Sequence, residues 1–234
     1  MAENTGERTT PEPYTVLKDP EQREVIKRRA IDLANTAAGK QTVVFLDNTA
    51  RPLAYLLNIV YPIVHPDKKL PDFKFLNIGS EKTDFPPFES LDELKHSFGS
   101  ENVDTLQKIL HSDASEERLI VDEVSMTGKT KALTDKILRI ADPKNKYSFF
   151  MFLESYKDQT PFMEIIRQPN ASLATITFGG AHMPWSGSST LNSDEADDSL
   201  FTLSGTPNRR GHDTIKILHN EFKLLAAEIN AEKQ

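Results

Sequence analysis

Apolar residues along the chain follow two patterns, short continuous runs and longer stretches that repeat with helical spacing. The continuous runs predict buried strands over 42–47, 72–79, 118–123, 146–155 and 172–180. The helically spaced stretches predict helices over 19–39, 51–64, 103–111, 129–142 and about 214–232. Because strands alternate with helices and each strand is apolar throughout, we predict an α/β fold with a mainly parallel central sheet flanked by helices.

The N-terminal boundary of the domain follows from polar composition and helix signals. Residues 1–18 are polar and contain prolines, so we predict a flexible arm there and a single domain over 19–234. Asp19 is placed to cap the first helix, Pro20 suits its first position, and Gly39 suits its end.

Two long segments lack a strong apolar pattern. Residues 80–117 are mostly polar and contain the predicted helix 103–111. Residues 182–213 are rich in Gly, Ser and Asp, and we predict a mobile loop there. We find no internal repeat in the chain.

Composition narrows the classes of function. The chain has 234 residues, 38% of them apolar, which is enough for one sizeable core. A formal net charge of −7 is unfavourable for a general nucleic-acid-binding protein, because phosphate contacts need a basic face. The absence of cysteine excludes disulfides, thiol nucleophiles and thiolate metal sites. No stretch has the pattern of a signal peptide or a membrane span, so we expect a soluble, cytoplasmic protein.

The segment 119–130 reads LIVDEVSMTGKT and ends in Gly-Lys-Thr, as a nucleotide-binding P-loop does. A P-loop also needs a glycine five residues before Gly128, and Glu123 occupies that position. A carboxylate there would repel the phosphate that the loop should hold. The P-loop interpretation is therefore unfavourable.

A second interpretation uses every residue of the segment. The strand ends in Asp122 and Glu123, a turn of mostly small residues follows, and a helix then begins. The backbone N–H groups of such a turn and the helix N-terminus form an anion site suited to a monophosphate. The residues predicted to bind this phosphate are Ser125, Met126, Thr127, Gly128, Lys129 and Thr130. The two carboxylates can accept hydrogen bonds from vicinal hydroxyls, and a phosphate beside a diol describes a ribose 5-phosphate.

This segment resembles the 5-phosphoribosyl-1-pyrophosphate (PRPP) motif of the type I phosphoribosyltransferases, which has four apolar residues, two acids and a Thr-Gly turn. The family's second landmark is a pyrophosphate loop that leads into Pro-Leu-Ala and a helix, and VVFLDNTARPLAYLL at 43–57 is similar to it. The resemblance implies that the pyrophosphate is bound by Asn48, Thr49, Ala50 and Arg51. It also implies a phosphoribosyltransferase-like fold, with a flexible flap at 80–117 and a C-terminal hood and helix.

The resemblance implies an enzyme of nucleotide metabolism, a glycosyltransferase that moves the phosphoribosyl group of PRPP to a nitrogen nucleophile and releases pyrophosphate. Asp122 and Glu123 would be its catalytic acids. Mg²⁺ is expected to be carried by PRPP itself, so no metal ligands are assigned to the protein. The other implied partner is an unidentified base or amine acceptor. The oligomeric state stays open, with a homodimer as one alternative.

Departures from the family pattern keep other functions open. Asn48 and Thr49 stand where family members often carry Arg-Gly, and Arg51 is the nearest remaining cation. Met126 stands where hypoxanthine-type relatives carry an Asp that acts on the purine, which argues against a 6-oxopurine substrate. The alternatives are a non-catalytic PRPP or nucleotide sensor and a protein-interaction module on the same fold.

Overall fold

The structure of the protein is a computed structural model. The residues that it describes are 14–15, 17–46, 50–78, 87–111, 116–124, 129–153, 200–204 and 212–233. None of the helices in these ranges is long and apolar enough to cross a membrane.

The described strands form one sheet in which every pairing is parallel. The strands are β1 (Thr42–Leu46), β2 (Asp72–Ile78), β3 (Glu117–Val124), β4 (Lys146–Leu153) and β5 (Leu200–Ser204). The helices are α1 (Pro20–Ala37), α2 (Arg51–Val64), α3 (Leu91–Phe98), α4 (Ser100–Ile109), α5 (Lys129–Ala141) and α6 (His212–Glu232). The order across the sheet is β4-β3-β1-β2-β5. The predicted α/β architecture, a parallel sheet flanked by helices, is therefore confirmed.

Apolar side chains cover both faces of the sheet, which explains the continuous apolar runs in the central strands β1 and β3. Successive residues of a strand point to opposite faces. In β1, Val43 and Phe45 accordingly join one core, and Val44 and Leu46 join the other. The first core is closed by α1, α2 and α6, and the second by α3, α4 and α5. The domain thus has three layers, with helices on each side of the sheet.

The first helix begins and ends as its sequence predicts. The Asp19 carboxylate accepts hydrogen bonds from the backbone N–H groups of Glu21 (2.9 Å) and Gln22 (3.4 Å). These bonds satisfy donors that have no partner within the helix itself. Pro20 is the first helical residue, and Gly39 follows the helix with a φ of +83°, which glycine adopts without strain.

The helix predicted over 103–111 is present as α4 (Ser100–Ile109), but between β2 and β3 the chain also forms α3, which was not predicted. A capping box starts α3: the Ser90 hydroxyl accepts the Glu93 N–H (3.3 Å), and the Glu93 carboxylate accepts the Ser90 N–H (3.2 Å). The two helices bury apolar side chains in the second core, namely Leu94, Phe98, Val103 and Leu106. Residues 87–111 are therefore packed, and the flap predicted for 80–117 does not include them.

The loop predicted over 182–213 contains a strand. β5 pairs with β2 in parallel, with Leu200 opposite Phe75 and Phe201 opposite Leu76. The prediction missed this strand because its five residues are surrounded by Ser, Asp and Gly. The strand predicted over 172–180 lies outside the described residues and stays a prediction.

The described part of the predicted N-terminal arm packs against α6. Tyr14 and Leu17 are buried, and the Tyr14 hydroxyl donates a hydrogen bond to Glu228 (2.6 Å). The buried Glu221 carboxylate accepts the backbone N–H groups of Thr15 and Leu17. An arm that is free of the domain therefore stays a prediction for the residues before Tyr14, which lie outside the described ranges.

Candidate functional site

The carboxyl ends of β1 and β3 lie side by side in the middle of the sheet. The two strands pair in parallel, with Val43 opposite Leu119 and Phe45 opposite Val121. From this point the chain continues to β2 on one side and to β4 on the other. Such a change of direction is a topological switch point, and open parallel sheets bind ligands in the crevice that it creates.

Two helices begin at this edge of the sheet. Residues 47–50 connect β1 to α2, and residues 125–128 connect β3 to α5. Because α2 packs in the first core and α5 in the second, their N-termini approach the edge from opposite faces. The described N-cap residue of α2, Ala50, makes no side-chain hydrogen bond to the helix start. A helix N-terminus carries unpaired N–H groups and about half a positive charge, so this edge favours an anion.

Asp122 places a carboxylate at this edge. It is 8% exposed and lies on the same face of β3 as Ile120, which packs in the second core together with α5. Its backbone is opposite Met151 of β4, and the preceding residue, Val121, is paired on both sides, with Phe45 of β1 and Phe150 of β4. Asp122 also takes part in an interaction of its own within the chain. An ionised carboxylate held by such a rigid strand accepts hydrogen bonds and does not donate them, which suits a ligand hydroxyl.

The structure describes only part of the predicted site. Glu123 lies in β3, and Arg51 and Lys129 begin α2 and α5, but of these three residues the backbone alone is described. Thr130 is partly buried in the first turn of α5. The other predicted residues lie outside the described ranges: Asn48, Thr49, Ser125, Met126, Thr127 and Gly128. The structure therefore brings Asp122 to the same edge as the two helix starts, and the remaining contacts stay predictions.

Ala50 forms part of the hydrogen-bonded turn at the start of α2. Its side chain is fully buried, and its N–H donates a hydrogen bond to the Leu46 carbonyl (3.3 Å). Its own carbonyl accepts hydrogen bonds from Leu53 (3.0 Å) and Ala54 (3.3 Å). Because its N–H is used inside the turn, Ala50 positions the predicted pyrophosphate turn, and a ligand would be bound by its neighbours.

In the described ranges, no group of three or more His, Asp or Glu side chains could hold a metal ion. Mg²⁺ is usually bound through one or two carboxylates together with water and phosphate oxygens. The Asp122 carboxylate is therefore a suitable ligand for a Mg²⁺ ion that is bound to the phosphate groups of a ligand.

A second charged cluster lies at the opposite, amino edge of the sheet. Arg118 is 2% exposed and pairs with Glu116 (2.6 Å) and Asp142 (3.2 Å). Tyr147 and Asn145 both donate hydrogen bonds to the same Asp142 carboxylate oxygen. Burial and the bond to Asp142 raise the pKa of Tyr147 well above its usual range, so this hydroxyl remains a donor. Because the cluster joins β3, β4 and the end of α5 far from the crevice, we interpret it as structural.

One buried polar residue of α5 was not singled out from the sequence. Thr134 is 0% exposed, and its hydroxyl has no hydrogen-bond partner among the described residues. It lies in the apolar pattern of the helix, next to Leu133 and one turn before Ile137 and Leu138. A single threonine in an amphipathic helix carries no functional signal by itself, so its importance emerges only from the packed structure.

Comparison with known proteins does not assign the chain to a family. No model of a known protein family and no curated protein matches it. The function of the crevice must therefore be inferred from its own residues and geometry.

Proposed function

We propose that the chain binds PRPP at the carboxyl edge of β1 and β3 and transfers its phosphoribosyl group to a nitrogen nucleophile, releasing pyrophosphate. In this proposal the 5-phosphate is held by the turn 125–128 and the start of α5. Asp122 and Glu123 accept hydrogen bonds from the ribose hydroxyls. The turn 47–50 and Arg51 hold the pyrophosphate.

The adjacency of two strand–turn–helix units is the observation that supports this proposal most. Their turns, 47–50 and 125–128, are far apart in sequence, yet β1 and β3 are direct neighbours in the sheet. Neighbouring strands are about 4.8 Å apart, so the two turns can contact the two ends of one small ligand. PRPP carries a phosphate at one end and a pyrophosphate at the other, with a diol between them.

Transfer at this edge requires the C1–O bond of the donor to break with oxocarbenium character. The chain's main tasks are then to hold both ends of the donor and to stabilise the departing pyrophosphate. The N-terminus of α2 supplies partial positive charge where the leaving group gains negative charge. Asp122 orients the sugar through charge-assisted hydrogen bonds. When bound, Mg²⁺ would neutralise charge on the pyrophosphate.

The proposed reaction also requires that water be excluded from the site. A reactive sugar cation must be protected from hydrolysis, and flexible segments commonly close over such sites. Since 87–111 is packed in the second core, the parts of 80–117 that remain for a flap are 80–86 and 112–115. These residues lie outside the described ranges.

The Arg51→Ala variant is expected to distinguish an enzyme from a sensor. Arg51 is the nearest cation to the pyrophosphate turn, and loss of one donor to a leaving anion typically lowers turnover by about a hundredfold. Affinity for ribose 5-phosphate should stay nearly unchanged, because that ligand lacks pyrophosphate. The measurements are pyrophosphate release from PRPP–Mg²⁺ with a panel of nitrogen bases, and calorimetric titration with ribose 5-phosphate.

Arg28→Ala is the matched control, because Arg28 is exposed on α1. It should behave like the wild type in both assays. Tight PRPP binding that survives Arg51→Ala would contradict the role of Arg51. A wild type that binds ribose 5-phosphate as tightly as PRPP and releases no pyrophosphate with any base would instead be a sensor.

A further inference from the structure

The hydroxyl of Thr134 differs in its hydrogen bonding from those of two other helical threonines, Thr36 and Thr105. The hydroxyls of Thr36 and Thr105 each donate to the backbone carbonyl four residues earlier, at 2.7 and 2.8 Å. Thr134 could bond in the same way to the carbonyl of Thr130. Within the described part of the chain, however, its fully buried hydroxyl has no hydrogen-bond partner.

Burial of an unpaired hydroxyl is unfavourable, and valine would fill the same space without that penalty. Packing therefore explains the shape of the Thr134 side chain but not its hydroxyl. A hydroxyl can donate one hydrogen bond and accept two. Its presence is explained if Thr134 gains a partner during function.

The contacts at the far end of α5 indicate what lies opposite Thr134. At the amino edge of the sheet Asp142, which follows α5, pairs with Arg118 of β3 (3.2 Å). Halfway along, Leu138 and Ile120 are both fully buried in the second core. Helix α5 therefore runs antiparallel to β3, with its start at the carboxyl edge.

Helix and strand dimensions place Thr134 and Asp122 at about the same distance from the amino edge of the sheet. From Asp142 to Thr134 the helix rises by about 12 Å, at 1.5 Å per residue. From Arg118 to Asp122 the strand advances by about 13 Å, at 3.3 Å per residue. Arg118, Ile120 and Asp122 alternate along β3 and so share the face on which α5 packs. Both residues are buried, Thr134 at 0% and Asp122 at 8% exposure.

We propose that Thr134 is a positioning residue for Asp122. When a ribose diol engages one carboxylate oxygen of Asp122, the Thr134 hydroxyl donates a hydrogen bond to the other and fixes the orientation of the carboxylate. The inference rests on the proposed function, because it assigns the diol as the ligand of Asp122. It adds a residue of α5 that has no place in the motif LIVDEVSMTGKT.

The test compares Thr134→Val, which removes the hydroxyl but keeps the shape, with Thr134→Ser, which keeps the hydroxyl. We expect Thr134→Val to bind ribose 5-phosphate about tenfold more weakly, since a hydrogen bond to a charged group is lost. Its midpoint of urea unfolding should equal or exceed that of the wild type. Thr134→Ser should bind within about twofold of the wild type. In an Asp122→Ala background, which lacks the acceptor, Thr134→Val should cause no further loss of affinity.

Three other outcomes would contradict the proposed role of Thr134, each for a different reason. Wild-type affinity in Thr134→Val, while the wild type binds ribose 5-phosphate, would overturn the role of Thr134 and leave the proposed function intact. An equal loss in the Val and Ser variants, or a loss that persists in Asp122→Ala, would show that Thr134 acts through packing. Failure of the wild type itself to bind ribose 5-phosphate would overturn the proposed function and this inference together.

Discussion

The double variant Asp122→Asn, Glu123→Gln is expected to bind ribose 5-phosphate at least about a hundredfold more weakly than the wild type. Each carboxylate is proposed to accept a charge-assisted hydrogen bond, and such bonds contribute roughly 1.5–3 kcal/mol each. Two of them correspond to about 3 kcal/mol or more, and each 1.4 kcal/mol is a factor of ten in affinity. The amides keep the size of the side chains, so the fold should be retained.

Calorimetric titration with ribose 5-phosphate measures this effect directly. The chain offers a matched control in Asp92→Asn, Glu93→Gln, a second adjacent Asp-Glu pair that is exposed on α3. Gln serves in a capping box as Glu does, so the control should preserve α3 as well as the affinity. If the double variant folds and binds ribose 5-phosphate as tightly as the wild type, Asp122 and Glu123 do not bind the ribose diol.

Arg118→Met should destabilise the fold by about 3–5 kcal/mol, the largest effect on stability that we expect from a single substitution. Methionine keeps the apolar stem but leaves the carboxylates of Glu116 and Asp142 without their cation. Both are largely buried, with side chains 6% and 12% exposed. Removal of one partner from a buried ion pair leaves an uncompensated charge in a medium that solvates it poorly. The free energy of unfolding from urea titration measures the loss.

The exposed pair Arg139–Asp135 provides the control for this substitution. Arg139 is 72% exposed and lies 2.7 Å from Asp135 on the outside of α5. Exposed ion pairs contribute about 0–1 kcal/mol, so Arg139→Met should have little effect. Equal destabilisation by the two substitutions would contradict the structural role of the buried cluster at the amino edge.

The sequence predicted the central strands well because they are buried on both faces. TVVFL in β1 and the LIV of β3 are continuous apolar runs, and such runs are typical of strands covered by helices on each side. Helix α1 was predictable for a different reason. Asp19, Pro20 and Gly39 act through local backbone geometry, which does not depend on the rest of the fold.

The errors concern elements whose stability comes from tertiary contacts. Helix α3 has only eight residues and buries two of them, Leu94 and Phe98, so its apolar pattern is short. The Ser90-x-x-Glu93 capping box was its local signal, and the prediction overlooked it. β5 has five residues and is held by pairing with β2, which no local pattern of these residues reveals.

The candidate site could be proposed from its sequence motifs, but the arrangement of these motifs could not be predicted. The two acids and the turn after them could be identified from chemistry alone. That β1 lies directly beside β3 depends on strand order, which local periodicity does not specify. The proposed position of Thr134 near Asp122 rests on how α5 packs on the sheet, so it could be inferred only from the folded chain.

Competition between ligands in wild-type calorimetry tests most directly whether the crevice between β1 and β3 is a phosphoribosyl site. We expect one molecule of PRPP–Mg²⁺ to bind per chain, and ribose 5-phosphate to compete with it. ATP–Mg²⁺ should neither bind comparably nor displace it, because the segment lacks the first glycine of a P-loop. Preference for ATP over PRPP, or the absence of binding by both PRPP and ribose 5-phosphate, would contradict the phosphoribosyl site.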